Sequence, residues 1–189
     1  MLKNLHRNIN IIYALAFFQS FMVIVPVIVP FFMSKGLSLA EIFYLQAVFA
    51  TSIVLLEAPS GYFADVFGRR NALIIGSVAH GLAYLCLNFT DDLAGLIVFE
   101  IIAGIGASLL SGADLALLYD TQKALEDDLN NEPGNGIAHL GFVKSSAEAL
   151  GALLGGGLAL WSFDLMVAAQ SVAAWMCLIL AVLIIEPPY

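Results

Sequence analysis

Asp65 and Arg69 stand four residues apart in the stretch Gly61-Tyr62-Phe63-Ala64-Asp65-Val66-Phe67-Gly68-Arg69-Arg70. A carboxylate and a guanidinium at that spacing share one face of a continuing helix and can pair. Gly68, just before the arginines, permits a positive φ that ends a helix and forces a tight turn. Gly61 carries no side chain and lets another helix approach closely. The chemistry these residues offer is non-covalent: an ion pair beside a tight turn. A second group of ionisable residues, Glu57, Glu100, Asp114, Lys144 and Glu148, lies inside long apolar runs. Such groups cost at least ~2.5–3.5 kcal/mol at the centre of a membrane helix, so they face a cavity or a partner. They can take up protons or form buried ion pairs.

The elements that must position these residues are membrane spans. A spanning helix needs about 20 mostly apolar residues. No charge occurs between Asn8 and Ser34, a stretch too long for a signal peptide, whose apolar region is about 7–15 residues. Six spans follow, near 9–33, 39–66, 71–90, 93–119, 137–161 and 165–185. Pro26 and Pro30 should bend or loosen the first, because each removes a backbone donor. Ser38 with Glu41 forms a capping box for the second, and Asp91-Asp92 start the fourth. Asp120–Gly136 reads as a solvated surface helix and turn, with Glu126, Asp127, Asp128 and Glu132. The fold class is all-α: a polytopic membrane bundle of six transmembrane helices in one domain, residues 1–189. Lys3, Arg7, Arg69, Arg70 and Lys123 fall on one side of it, with Lys144 just inside the fifth span. Only Lys35 falls on the other, which places both termini in the cytoplasm.

At ~1.5 Å per residue, Glu57, Asp114 and Lys144 lie roughly 9–12 Å inside the Arg69 side. In that layer Lys144 could neutralise one acid. Glu148 is four residues beyond Lys144, nearer the midplane, and leads as a proton site; the competing reading is a structural Lys144–Glu148 pair. Glu57 precedes Pro59, where a broken backbone ladder leaves carbonyls free. Gln19 and Tyr119 could also face a cavity. His80 reads as a hydrogen-bonded interior group.

Composition excludes other classes. Apolar residues make up 61% of the chain and charged residues 12%, too apolar for a soluble globule of 189 residues. With 15 acids, 7 bases and a net charge of −8, the chain has no general attraction for nucleic acid. Cys86 and Cys177 lie in apolar runs without ligand spacing, so neither a zinc site nor a disulfide framework is expected. There is no Walker loop, G-x-S-x-G or H-E-x-x-H. No enzyme, metal or cofactor is expected.

The loop Gly61–Arg70, placed between spans two and three, resembles the signature G-x-[LF]-A-D-x-x-G-R-[RK] of the major facilitator superfamily. Gly61, Ala64, Asp65, Gly68, Arg69 and Arg70 carry the match, and Val66 stands where the family usually has a basic residue. The resemblance implies a latch in which Asp65 and Arg69, with Asp120 at the end of span four, hold the inner gate closed. Span four resembles L-x-x-x-R-x-x-x-G-x-G through Leu96, Gly104 and Gly106, with Glu100 in place of the Arg. Span five resembles G-P-x-x-G-G through Gly151, Gly155 and Gly156, with Ala152 in place of the Pro. Read without the family, these glycines are close-packing positions. The resemblance covers half of a twelve-helix body: an N-terminal half of two inverted three-helix repeats, with solute held between two halves. It implies secondary active transport of a small solute by alternating access, with proton coupling, in a cell (inner) membrane. The second half would be a separate chain, a missing C-terminal part or another copy. The alternative is a non-transporting half-length membrane protein that binds a partner helical bundle.

Overall fold

A computed structural model describes residues 2–129 and 135–186, with side chains from Leu5 to Leu125 and from Asn135 to Glu186. Lys3, Glu126, Asp127, Asp128 and Glu132 lie outside the described side chains. Every element among the described residues is a helix, and there is no strand among them. The helices are α1 (Leu2–Ser20), α2 (Ile28–Ser34), α3 (Leu39–Phe67), α4 (Arg69–Leu87), α5 (Leu93–Leu110), α6 (Ala113–Leu129), α7 (Gly136–Ala159) and α8 (Phe163–Leu183).

Five stretches are long and apolar enough to cross a membrane: Leu5–Ser34, Leu39–Phe67, Arg69–Leu87, Leu93–Leu125 and Phe163–Leu183. Helix α7 has a spanning length of 24 residues but carries Lys144, Glu148 and His139, and falls outside that set.

Local signals set most helix ends. Ser38 caps α3 in a full capping box with Glu41. Asp92 caps α5 by accepting from the Gly95 N–H, and Ser162 caps α8 through the Leu165 N–H. Such caps satisfy backbone donors that a helix start leaves open. Between α3 and α4 only Gly68 is non-helical, at φ +94°. That value lies in the region only glycine occupies without strain.

Two of the expected spans are broken. The first stops at Ser20 and resumes through a 3-10 turn, Val25–Val27, into α2. Pro26 and Pro30 sit in the opening turns of these short pieces, where a missing N–H is harmless. The donors freed by the break are Val23 N–H and Ile24 N–H, both of which donate to Oε1 of the fully buried Gln170, at 2.6 and 3.4 Å. Non-helical backbone at membrane depth persists only where protein groups re-satisfy it in this way. The fourth expected span is not one rod to residue 119. It is interrupted at Ser111-Gly112, with Gly112 at φ +82°, and α6 then runs on to Leu129.

Helix α4 is the most surrounded element: it packs on α3, α5, α6 and α8. Its crossing with α5 is tight because a Cβ at Gly106 would lie 2.9 Å from the His80 amide nitrogen. Helix α1 packs on α6, α7 and α8. One core gathers Phe31, Phe32, Leu45, Leu96, Phe99 and Met166 towards the Lys35 end. The other gathers Ile12, Leu15, Leu73, Leu117, Leu118 and Leu140 towards the Arg69 end. Helices α3 and α7 have the barest faces. Phe43, Val54, Leu55 and Tyr62 on α3 and Phe142 and Leu153 on α7 are exposed.

Candidate functional site

The helix turn at Gly68 turns Arg69 away from Asp65. The spacing of four therefore does not produce the Asp65–Arg69 pair that a continuing helix would make. The guanidinium of Arg69 instead donates to the Asp120 carboxylate and, at 2.6 Å, to the Ala116 carbonyl, both on α6. Both partners of this ion pair are largely covered, with side chains 21% and 22% exposed. Asp65 is exposed and has no hydrogen bond or ion pair among the described residues. Asp65 and Arg69 nevertheless line one cavity of about 220 Å³, together with Ser60, Gly61, Ala64, Ser111, Gly112 and Ala116. No atom lies within 4 Å of where a Cβ would stand on Gly61, so the close helix approach expected there is not made within the described residues. What the glycine provides is open space beside the acid.

The neighbouring Arg70 does a different job. Its Nε and Nη2 donate to the carbonyls of Ile184 (2.7 Å) and Val182 (2.9 Å), closing the end of α8. In return the Glu186 carboxylate accepts from the Arg69 backbone N–H at 2.7 Å, at the positive end of α4. Asn8 adds a reciprocal pair of hydrogen bonds with the Ile185 backbone, both 2.9 Å, and donates to Thr121 Oγ1. The ends of α1, α4, α6 and α8 are thus joined by polar contacts around the two arginines. Asn8, Gln170 and Glu186 escaped the sequence reading. A polar residue at the edge of an apolar run was the available signal for Asn8 and Glu186. Gln170, alone in an apolar run, offered none beyond its polarity.

The ionisable residues within the spans separate into three situations. Lys144 on α7 pairs with Asp114 on α6 at 2.6 Å, and Asp114 is fully buried. It does not pair with Glu148, because the helices meet on the Asp114 side of Lys144. Asp114 also accepts from the Leu115 N–H at 2.7 Å. Glu57 and Glu148 are exposed on the bare faces of α3 and α7, with no side-chain hydrogen bond or ion pair among the described residues. Glu100 is the reverse: 3% exposed, with its Oε1 accepting from Gln46 Nε2 of α3 at 3.1 Å. Gln19 is partly buried, and its Oε1 has no partner; Tyr119 is exposed. The Nε2 of His80 is likewise unpartnered, contrary to the hydrogen-bonded role expected for that ring.

The span-four and span-five glycines also divide. A Cβ at Gly104 would lie 2.6 Å from the Ser52 Cβ of α3. Gly151 and Gly155 lie against the broken backbone of Met22 and Val23. Gly156 meets nothing within 4 Å, so it is not a packing glycine within the described residues. At the opposite end, Lys35 pairs with Asp91 and donates to the Thr90 carbonyl at 2.9 Å, tying α2 to the α4–α5 link. No group of three metal-ligating side chains occurs among the described residues.

Comparison with known proteins agrees with this architecture. The chain is 24% identical over 109 residues to a protein of Methanocaldococcus jannaschii named an uncharacterized MFS-type transporter; the match covers 57% of this chain and 28% of that protein. It is 32% identical over 73 residues to an uncharacterized transporter of Buchnera aphidicola subsp. Schizaphis graminum, covering 39% of this chain and 18% of that protein. The matched segments thus cover less than a third of the length of each relative. A profile of the Major Facilitator Superfamily matches residues 9–189. That match takes in the Gly61–Arg70 loop, both span breaks and all the ionisable residues within the spans, and the chain belongs to the major facilitator superfamily.

Proposed function

We propose that the chain is one wall of a secondary active transporter that moves a small solute by alternating access, with an inner gate locked at the Arg69 end. The observation that carries this reading is the pair Arg69–Asp120 beside an exposed, unpaired Asp65 on a shared cavity. Arg69 ties α4 to α6 within this chain. Asp65 and the open space over Gly61 are left for a group from outside the described residues. A second six-helix half supplies that group when the gate closes and withdraws it when the gate opens.

The two barest helices, α3 and α7, fit the same arrangement. Glu57 and Glu148 on their open faces would be costly against lipid, so those faces belong to a water-filled cavity or to the second half. Helix α7 is then the fifth of six crossings, less apolar because one side of it meets no lipid. The breaks also fit two inverted three-helix units. The α1–α2 break lies towards the Lys35 end and the α5–α6 break towards the Arg69 end, each in the first rod of its unit. Acids in excess of bases within the spans support proton coupling. The orientation, with both termini in the cytoplasm of a cell (inner) membrane, follows from the bias of Lys and Arg towards the Arg69 side.

The test is solute uptake. A panel of sugars, amino acids, organic cations and anions is offered to proteoliposomes of the intact protein under an imposed proton gradient. For the solute that accumulates, Asp65→Asn lowers the initial rate about tenfold, the effect of losing one charge-assisted hydrogen bond in the closed state. Expression and elution volume stay unchanged. An undiminished rate removes the latch, and no accumulation of any solute removes the transport reading.

A further inference from the structure

Glu100 sits in the eighth position of α5, about 12 Å along the helix from its Asp92 cap at ~1.5 Å per residue. Among the described residues its one hydrogen-bond donor is the neutral amide of Gln46. The groups turned towards it from the packed elements are few. Tyr84 of α4 lies against Phe99, but its hydroxyl donates to the Met22 sulfur. Behind Tyr84 stand the His80 ring, 5.0 Å away edge to face, and the buried Cys177 of α8. On α6 the nearest acid, Asp114, is taken by Lys144. No lysine or arginine among the described residues pairs with Glu100. Lys35 is engaged with Thr90 and Asp91, Arg69 with Asp120, and Arg70 with Val182 and Ile184. A carboxylate this deep with one neutral donor would be strongly penalised, whereas the protonated acid is a far smaller burden.

We propose that Glu100 is the group that carries the coupled proton, held protonated in this state and covered by Gln46. The inference rests on the transporter reading above and adds the carrier to it. Gln46 and Asp65 lie on the same helix, α3, nineteen residues or about 28 Å apart, with Pro59 between them. That helix is the least covered of the membrane rods. A shift of α3 that disengages Asp65 from the second half at one end draws Gln46 off Glu100 at the other. Cavity water then reaches the carboxyl, the O–H bond breaks with its electron pair left on oxygen, and the proton passes to water. Return of α3 requires the acid to be neutral again. Gate and proton are linked through one helix, with no relay between them. Glu57 and Glu148 do not have this property, because both are exposed whatever α3 does.

Infrared spectroscopy of the intact protein in lipid, with the proton itself as the probe, tests the assignment without knowledge of the solute. A protonated-carboxyl C=O band is expected at neutral pH. It disappears in Glu100→Gln, moves to higher wavenumber in Gln46→Leu as the carbonyl loses its donor, and diminishes reversibly as pH is raised. Reaction of the wild-type protein with dicyclohexylcarbodiimide, located by peptide mass spectrometry, gives a second readout needing no variant. Glu100 is modified, and Gln46→Leu speeds its modification severalfold. A band untouched by Glu100→Gln, a Glu100 band that does not respond to pH, or modification confined to Glu57 or Glu148 would overturn the proposal. Solute uptake without a Glu100 band would leave the transport reading intact and remove only this carrier.

Discussion

Replacing Lys144 with alanine is expected to lower stability in detergent by about 3–5 kcal/mol, the range for breaking a buried ion pair by deleting one partner. Asp114 is fully buried, and Lys144 is its one cationic partner among the described residues. Without the ammonium, the carboxylate keeps a single hydrogen bond from the Leu115 N–H. The loss therefore reports the penalty on the stranded acid, and it should be largely reversed by adding Asp114→Asn, which removes the charge. Chemical denaturation of the single and double variants, followed by circular dichroism, measures both. A Lys144→Ala variant as stable as the parent would show that α6 and α7 are held together by packing alone. Glu148→Gln provides the contrast. Its carboxylate is exposed and unpaired, so a change within about 0.5 kcal/mol is expected.

Gly155→Val is the second large effect. A Cβ at this position would overlap the Val23 carbonyl oxygen and stand 2.9 Å from the Val23 carbonyl carbon. Backbone cannot yield as a flexible side chain can, so α7 must move off the break in the first span. Overpacking of this kind costs about 1–3 kcal/mol, and valine, with two further carbons, should lie at the top of that range. The displacement also draws Val23 and Ile24 away from Gln170, their shared buried acceptor. Gly156→Val, one residue along, meets open space and should leave the melting temperature in detergent nearly unchanged. Equal behaviour of the two variants would mean that the glycines act as a block and not through the contact at Val23.

What could be read from the sequence was what is decided locally. Ser38 with Glu41, Asp92 and Gly68 end or begin helices through contacts within a few residues, and all four stand as their types dictate. The pairings were harder, because they depend on how helices are rotated against each other. Arg69 was within reach of Asp65 on an unbroken helix, yet the same Gly68 that was legible as a turn swings it to Asp120. Lys144 had Glu148 on its own helix and Asp114 across a gap, and only the packing of α6 on α7 selects between them. Ser111-Gly112 is a turn-prone pair, but it is embedded in an apolar run that reads equally well as one rod. Gln170 was out of reach for the same reason. Its role exists only because the first span breaks opposite it.

The account depends most on the claim that the Arg69 end of the molecule is the inner gate, with the Arg69–Asp120 pair covering the cavity beside Asp65. Ser60 is buried and lines the cavity behind that pair. A single cysteine at this position, Ser60→Cys in a background with Cys86→Ser and Cys177→Ala, can be labelled with a membrane-impermeant maleimide in vesicles of either orientation. The expected result is slow labelling in inside-out vesicles, about tenfold faster labelling once Asp120→Asn removes the charged partner, and none in right-side-out vesicles. An unchanged rate in Asp120→Asn, or labelling from the outer face, would contradict it.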